Sequence, residues 1–313
     1  MSNYTIIGAG MAGLLASAML RNEVDNVIEA GPDIPNNHHA LLRFRSSIVG
    51  DTLGIPFKKV KIMKGVHGSL GNPVSDAISY SKKVVGHPAL RSISTAQGEI
   101  EERWVAPSDL VQRMAELTDF RSFVFNARFT EPHQLGNQDP IISTIPMPNL
   151  MKILGYKSPA FCEETFKHRT MGTIRVEIPN CEAWATLYFP DPYCPIYRAS
   201  LCGPEMIIEC VNQNWNLRAI IQHAVTAFGL HPDDEGNLLS KYKEQPYGKI
   251  MPIDDEVRKR FILWATEKHN IYSLGRFATW RPGLLMDDLV QDVRKIQSLV
   301  NSHSARYDHA KTV

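Results

Sequence analysis

Tyr4-Thr5-Ile6-Ile7-Gly8-Ala9-Gly10-Met11-Ala12-Gly13-Leu14-Leu15-Ala16 stands at the start of the chain, and its reading decides the fold. A short β-branched run stops at Gly8, and Leu14 to Leu20 is rich in Ala, Leu and Met. The pattern predicts strand, tight turn and helix. Gly8 permits the sharp exit from the strand, Gly10 lets a pyrophosphate approach the backbone, and Gly13 lets the helix pack closely on the strand. The unpaired N–H groups and positive dipole end of that helix would face the phosphates, so no basic side chain is required. Asn26-Val27-Ile28-Glu29 predicts a second strand ending in a carboxylate, followed by the turn signal Gly31-Pro32. Glu29 falls where an acid accepts hydrogen bonds from ribose hydroxyls, and its charge repels a 2′-phosphate. Strand, glycines, helix and acid in this order predict a dinucleotide-binding βαβ unit. The string by itself leaves NAD and FAD both open.

Composition narrows the rest. The chain has 313 residues, 43% hydrophobic and 21% charged, which suits a soluble globular protein of one or two modules. A formal net charge of +1 gives no global field towards nucleic acid or an anionic membrane. The five cysteines, Cys162, Cys181, Cys194, Cys202 and Cys210, form no C-x-x-C pair and show no metal-ligand spacing. We expect no metal, buried thiols, a reducing compartment and a cytoplasmic location. The apolar stretch Tyr4 to Leu20 is interrupted by glycines and predicts neither a signal peptide nor a membrane span.

Further along, residues 36–98 are irregular in pattern. Pro107-Ser108-Asp109 predicts a helix start, with Leu110, Met114 and Leu117 on one face. Ser122 to Phe129 alternates like a strand, and Ile141 to Pro146 reads as a buried parallel strand. Thr173 to Ile178, Ala185 to Phe189 and Met206 to Val211 predict an antiparallel sheet in a second domain. Leu217 to Phe228 predicts a helix, Ile271 to Leu274 a strand, and Met286 to Val300 a closing amphipathic helix.

Three of these segments carry a resemblance. The opening glycine string, the strand Ile142-Ser143-Thr144-Ile145-Pro146-Met147-Pro148, and Leu274-Gly275-Arg276-Phe277-Ala278-Thr279-Trp280-Arg281 followed by Met286-Asp287 are similar to the FAD-binding amine oxidase and UDP-galactopyranose mutase superfamily. The resemblance implies an α/β fold: a Rossmann-type FAD-binding domain on a parallel sheet, with a second α+β substrate domain on an antiparallel sheet. Residues 1–60 and 106–150 would form the FAD domain, 61–105 an insertion, 151–250 the substrate domain, 251–300 the return, and 301–313 a polar tail. FAD would lie along Gly8, Gly10, Met11, Ala12, Gly13 and Glu29, with Gly275 and Arg276 at its phosphates or at the edge of the substrate site and Met286 and Asp287 at the flavin pyrimidine end; Arg43, from its place after the second strand, is a further cofactor-binding candidate.

In activity, the resemblance implies an FAD-dependent oxidoreductase that takes a hydride from a carbon next to nitrogen. The alternatives are a redox-neutral, mutase-like isomerase of a sugar nucleotide, and a non-catalytic module holding a nucleotide for a partner. The chain departs from the mutases: Asn36 to Arg45 replaces their His- and Gly-rich segment, and Pro282 stands where they use an aromatic residue on the substrate diphosphate. Compact members occur in bacteriophages, where related oxidases act on amino-acid-decorated thymine in DNA. The basic run from Lys58 to Lys64 fits such a modified-DNA partner, or else a solvated face.

For the substrate side, His38, His39, Arg43 and Arg45 follow the second strand, at the edge where α/β sheets bind ligands. Each arginine is either an anion fork or a solvated charge. Tyr188, Tyr193, Tyr197 and Arg198 fall among the strands expected over the flavin, with Arg198 the candidate for an anion contact. Trp280 and Arg281 are further substrate candidates, with core packing the other reading for Trp280 and for Tyr188, and Lys249, Arg198 and Tyr197 are the candidate catalytic side chains.

Overall fold

The computed structural model describes residues 3–35, 43–90, 93, 99–131, 139–158, 161, 163–211 and 215–312. The opening stretch forms β1 (Tyr4–Ile7), α1 (Met11–Leu20) and β2 (Val24–Ile28). Three more strands, β5 (Phe123–Val124), β6 (Ile141–Ser143) and β12 (Ile271–Ser273), complete a parallel sheet in the order β12-β6-β1-β2-β5. Its alternate side chains feed two cores. Tyr4, Ile6, Val27, Ile142 and Tyr272 pack with α1, α4 (Leu110–Glu116) and α8 (Met286–Thr312). Ile7, Ile141 and Ile271 pack with α5 (Met147–Ile153) and α7 (Asp255–His269). This is the period-2 signature of a sheet covered on both faces.

The second sheet has the order β11-β7-β10-β9-β8-β3-β4. It comprises β3 (Lys58–Val66), β4 (Ile100–Val105), β7 (His168–Glu177), β8 (Trp184–Tyr188), β9 (Ile196–Cys202), β10 (Glu205–Cys210) and β11 (Leu238–Ile250). Every pair is antiparallel except β3 with β8. One face buries Ile174, Val176, Ala199, Leu201, Met206 and Ile208 under α6 (Leu217–Ala227).

The segment 61–105, expected as an insertion, supplies β3, β4 and α3 (Pro73–Val85) to this second unit. Its helix obeys cap chemistry: Asn72 accepts a hydrogen bond from Ser75 N, Pro73 fills the first turn, and Gly86 closes it at φ 86°. The basic run lies on β3, where Lys59 pairs with Glu102 and Lys64 with Glu101 of β4. Two of its lysines are thus offset across the ladder. α8 extends through the stretch read as a polar tail to Thr312. Of the described cysteines only Cys210 is fully buried, the other three being half-buried, and all four are free thiols. Among the described residues no helix is long and apolar enough to cross a membrane, and no group of residues is suited to hold a metal.

α3 is fastened by Lys83. Its buried ammonium donates to the carbonyls of Phe189 and Asp191, each at 2.8 Å, and of Ile196. Burial pushes its pKa down to about 8. Replacing Lys83 with Met strands three carbonyls. It should lower the unfolding free energy by about 2–3 kcal/mol in urea titrations.

Candidate active site

The glycine turn follows from steric necessity. Gly8 has φ +95°, and a Cβ there would sit 2.2 Å from Thr144 Oγ1. A Cβ on Gly13 would lie 1.8 Å from the Gly8 carbonyl oxygen, which is how closely α1 rides on β1. Gly10 differs, because a Cβ there meets nothing within 4 Å. It caps α1 in extended conformation, with no side-chain cap and no acid in the first turn. Backbone N–H groups therefore face open space at a helix start, the arrangement a pyrophosphate requires. Glu29 borders the same space: its Oε2 accepts from Ala9 N at 2.7 Å and its Oε1 from Gly31 N at 2.9 Å.

The far end of the chain closes on this turn. Gly275, at φ +99°, follows β12 so closely that a Cβ on it would come within 3.0 Å of the Ala12 methyl. Thr279 and Arg281 then fold back on the carbonyls of Gly275 and Arg276. At the start of α8, Asp287 Oδ1 accepts from Ser46 N at 2.8 Å and Ser46 Oγ at 2.9 Å. Its other oxygen, Oδ2, is buried without a hydrogen-bond partner among the described residues, as is Ser273 Oγ at the end of β12. Open Gly10, braced Glu29 and these buried oxygens fit a polar, extended cofactor of the FAD kind. When bound, FAD would lie along Gly8 to Gly13, Glu29, Gly275 and Asp287. Met286 packs its side chain on the core, so only its backbone is available there.

The second sheet approaches this region with its polar face. Thr173, Thr186, Ser200 and Glu209 are all buried, on the side opposite to α6. Register sets Arg198 of β9 across from Glu209 of β10, with Thr173 and Tyr188 on their outer flanks. Arg198 grips Glu209 through Nε and, at 2.8 Å, through Nη2, while Tyr197 donates its hydroxyl to Glu209 at 2.7 Å. Lys249 places its Nζ 4.9 Å from the Tyr197 ring centre. Burial pushes the Glu209 carboxyl up, but Arg198, Lys249 and the Tyr197 hydrogen bond outweigh it and leave the group below its ordinary range. Burial, then the Glu209 charge, drives the Tyr197 phenol well above its ordinary value, so it stays protonated. Two residues before Lys249, the Tyr247 ring lies 5.8 Å from Phe277 and 4.6 Å from His168. Strand β11 thus touches both regions, through Tyr247 on Phe277 and through Lys249 on Tyr197.

Sequence reasoning named Tyr197, Arg198 and Lys249, and the structure brings them together. It missed Glu209, whose signal was a lone carboxylate in the apolar run Met206-Ile207-Ile208-Glu209-Cys210. Other assignments are corrected. Arg43, a cofactor-binding candidate, gives its guanidinium to Thr186 Oγ1, the carbonyls of Ala185 and Leu201, and Cys202 Sγ. It is a strut into the second sheet. Arg45, expected on substrate, forms an exposed pair with Asp288 at 2.9 Å. Trp280 is core: it packs against Phe166 and Tyr247 and donates its indole N–H to Met251 O at 2.9 Å. Arg281 pairs with Asp292 of α8. Tyr188 packs edge-on against Tyr80 at 5.6 Å, and Tyr193 is exposed. His38 and His39 lie outside the described residues.

No protein-family model matches the chain, and no curated protein matches it in sequence. Solved structures do match in fold. The structure of reduced UDP-galactopyranose mutase superposes with a TM-score of 0.66 at 15% identity, covering 96% of both chains. An oxidoreductase from Methanosarcina mazei gives 0.59 at 10% identity, over 95% of this chain and 100% of the other. A conjugated-linoleic-acid-producing fatty acid isomerase from P. acnes gives 0.58 at 11% identity, over 96% and 98%. The chain therefore shares the fold of these proteins along nearly its whole length.

Proposed function

We propose that the chain is an FAD-dependent oxidoreductase of amine-oxidase type, oxidising a carbon–nitrogen bond in a small or nucleotide-linked amine. The observation that supports this best is the two-ended cofactor site, in which an open Gly10 and Glu29 are met by Gly275 and Asp287 from the far end of the chain. FAD supplies the hydride acceptor, and the oxidised carbon–nitrogen bond is then hydrolysed by water. The chain's own residues orient and enclose. Tyr247, Phe277 and Tyr197 form aromatic walls that exclude bulk water, and the polar sheet face fixes one end of the substrate. No side-chain base is needed when the amine binds neutral, which agrees with a site whose titrating groups are paired among themselves.

An anaerobic absorbance spectrum of the purified protein tests this. Bleaching of a bound flavin by an amine, including DNA carrying an amine-modified base, is the expected outcome. A flavin that no amine bleaches, with a sugar nucleotide turned over only after dithionite, would replace the reading by a redox-neutral isomerase. A colourless protein that FAD does not reconstitute would remove both. Replacing Glu29 with Gln should weaken FAD retention by about tenfold, read by filtration of the coloured protein, since a charge-assisted hydrogen bond becomes a neutral one.

A further inference from the structure

We infer that Ser46 is a positioning residue for the cofactor: it holds Asp287 by one carboxyl oxygen, so that the other, Oδ2, is kept for a donor on the flavin-bearing part of FAD. The inference rests on the flavoenzyme reading, and its own basis is the bonding at the first turn of α8. Two adjacent acids open that helix, and they are used differently. Asp288 serves the helix and the surface, since its Oδ2 accepts from Leu285 N at 2.9 Å and from Arg45 in an exposed pair. That is the ordinary service of an acid at a helix start. Asp287 is bonded by Ser46 instead. Its Oδ1 takes both donors of that residue, N at 2.8 Å and Oγ at 2.9 Å, while Oδ2 is buried with no hydrogen-bond partner among the described residues.

A buried carboxyl oxygen with no donor is costly, so one that persists calls for a specific reason. Both donors come from one residue and converge on one oxygen, which fixes the plane of the carboxyl group and leaves its second oxygen turned away from Ser46. Ser46 is itself held. Its hydroxyl oxygen accepts from Ile48 N at 3.4 Å, at the start of helix α2 (Ile48–Leu53). Two residues earlier, Phe44 exchanges backbone bonds of 2.9 and 3.0 Å with Trp104 of β4, and Arg43 makes its four contacts on β8 and β9. Residues 43–46 thus form a strap anchored in the second sheet at one end and on α8 at the other. An acceptor ordered in advance gives a bound donor its full worth, because nothing has to be immobilised on binding. FAD carries such donors as the hydroxyls of its ribityl chain and the N–H of its flavin ring.

The test is retention of FAD by the purified protein, read by ultrafiltration over a range of FAD concentrations, with thermal unfolding of FAD-free and FAD-saturated samples. Ser46→Ala should weaken FAD binding about tenfold while the FAD-free protein unfolds nearly as the parent does. Ser46→Thr keeps the hydroxyl and should restore binding. Asp287→Asn should lose about 100-fold, because the Ser46 N–H holds the amide oxygen and turns the NH2, a donor, to where an acceptor is needed. Ser46→Ala added to Asp287→Asn should cost nothing further, since the serine acts through the aspartate. Ser47→Ala, which removes only an exposed bond to Asp51, should leave FAD binding unchanged. Ser46→Cys, close to serine in shape but a weak donor, decides the matter should Ser46→Ala not fold. Parent-like FAD binding by Ser46→Ala or Ser46→Cys, or additive losses in the double variant, overturns the inference and leaves the flavoenzyme reading standing. A parent protein that takes up no FAD overturns both.

Discussion

Gly13→Ala is expected to destroy both stability and flavin retention, whereas Gly10→Ala, three residues earlier, is expected to destroy flavin retention alone. At Gly13 the new methyl would stand 1.8 Å from a backbone oxygen of Gly8. Neither partner is a flexible side-chain end, so α1 must lift from β1. Forced overpacking of this kind costs about 3 kcal/mol or more. At Gly10 the backbone is at φ −68° and ψ 177°, which alanine adopts readily, and nothing lies within 4 Å of the new methyl. Thermal unfolding of Gly10→Ala without cofactor should therefore match the parent. Its FAD affinity should fall roughly 100-fold, because the methyl fills the space a pyrophosphate needs. Equal destabilisation by both substitutions would show that Gly10 serves packing.

The second large effect belongs to Glu209. Glu209→Ala leaves the Arg198 guanidinium without its carboxylate and the Tyr197 hydroxyl without its acceptor. Removing one member of a buried ion pair costs about 3–5 kcal/mol. Denaturant titration should show that loss as a lower midpoint with unchanged slope. Glu209→Gln keeps an acceptor for Tyr197 and should cost about half as much. The pH dependence follows from the direction of the shift. A carboxyl held below its ordinary range stabilises the fold at every pH above that range, and the contribution disappears as the pH falls through the lowered value. The parent should therefore lose stability in acid more steeply than Glu209→Gln, in which this group no longer titrates.

The sequence was most legible where backbone geometry admits few residue types. The glycine turn is such a place, and the sharp exit at Gly8 and the close helix packing at Gly13 are present in the structure. Helix α4 and strands β7, β8 and β10 were legible for a second reason, since their apolar residues recur at a clean period. Strand β9 was not. Arg198, Ser200 and Cys202 alternate with Ala199 and Leu201, but the polar set faces a buried surface instead of water, so the pattern looks like a loop. β11, with Pro246 and Gly248 inside it, reads as irregular for the reason that makes it tolerable at an edge. Arg43 was placed by its position after the second strand, and Trp280 and Arg281 by their neighbourhood; each was claimed by another partner: four acceptors on β8 and β9, the Met251 carbonyl, and Asp292. Such pairings join residues in different elements, and no local pattern encodes them.

The strand order β12-β6-β1-β2-β5 also bears on how the chain folds. β1 and β2 are adjacent in sequence, but β1 must wait for β6 near residue 141 on its other side, and the sheet is completed only by β12 at residue 271. The whole second sheet is made in the intervening chain. The parallel sheet therefore has four of its strands once β6 is made but stays open at the β6 edge until β12 emerges. Contacts of such long sequence separation are formed late and slowly. The two halves should consequently melt in one transition, and a truncation before β12 should yield an aggregating product and not an independent FAD-binding domain.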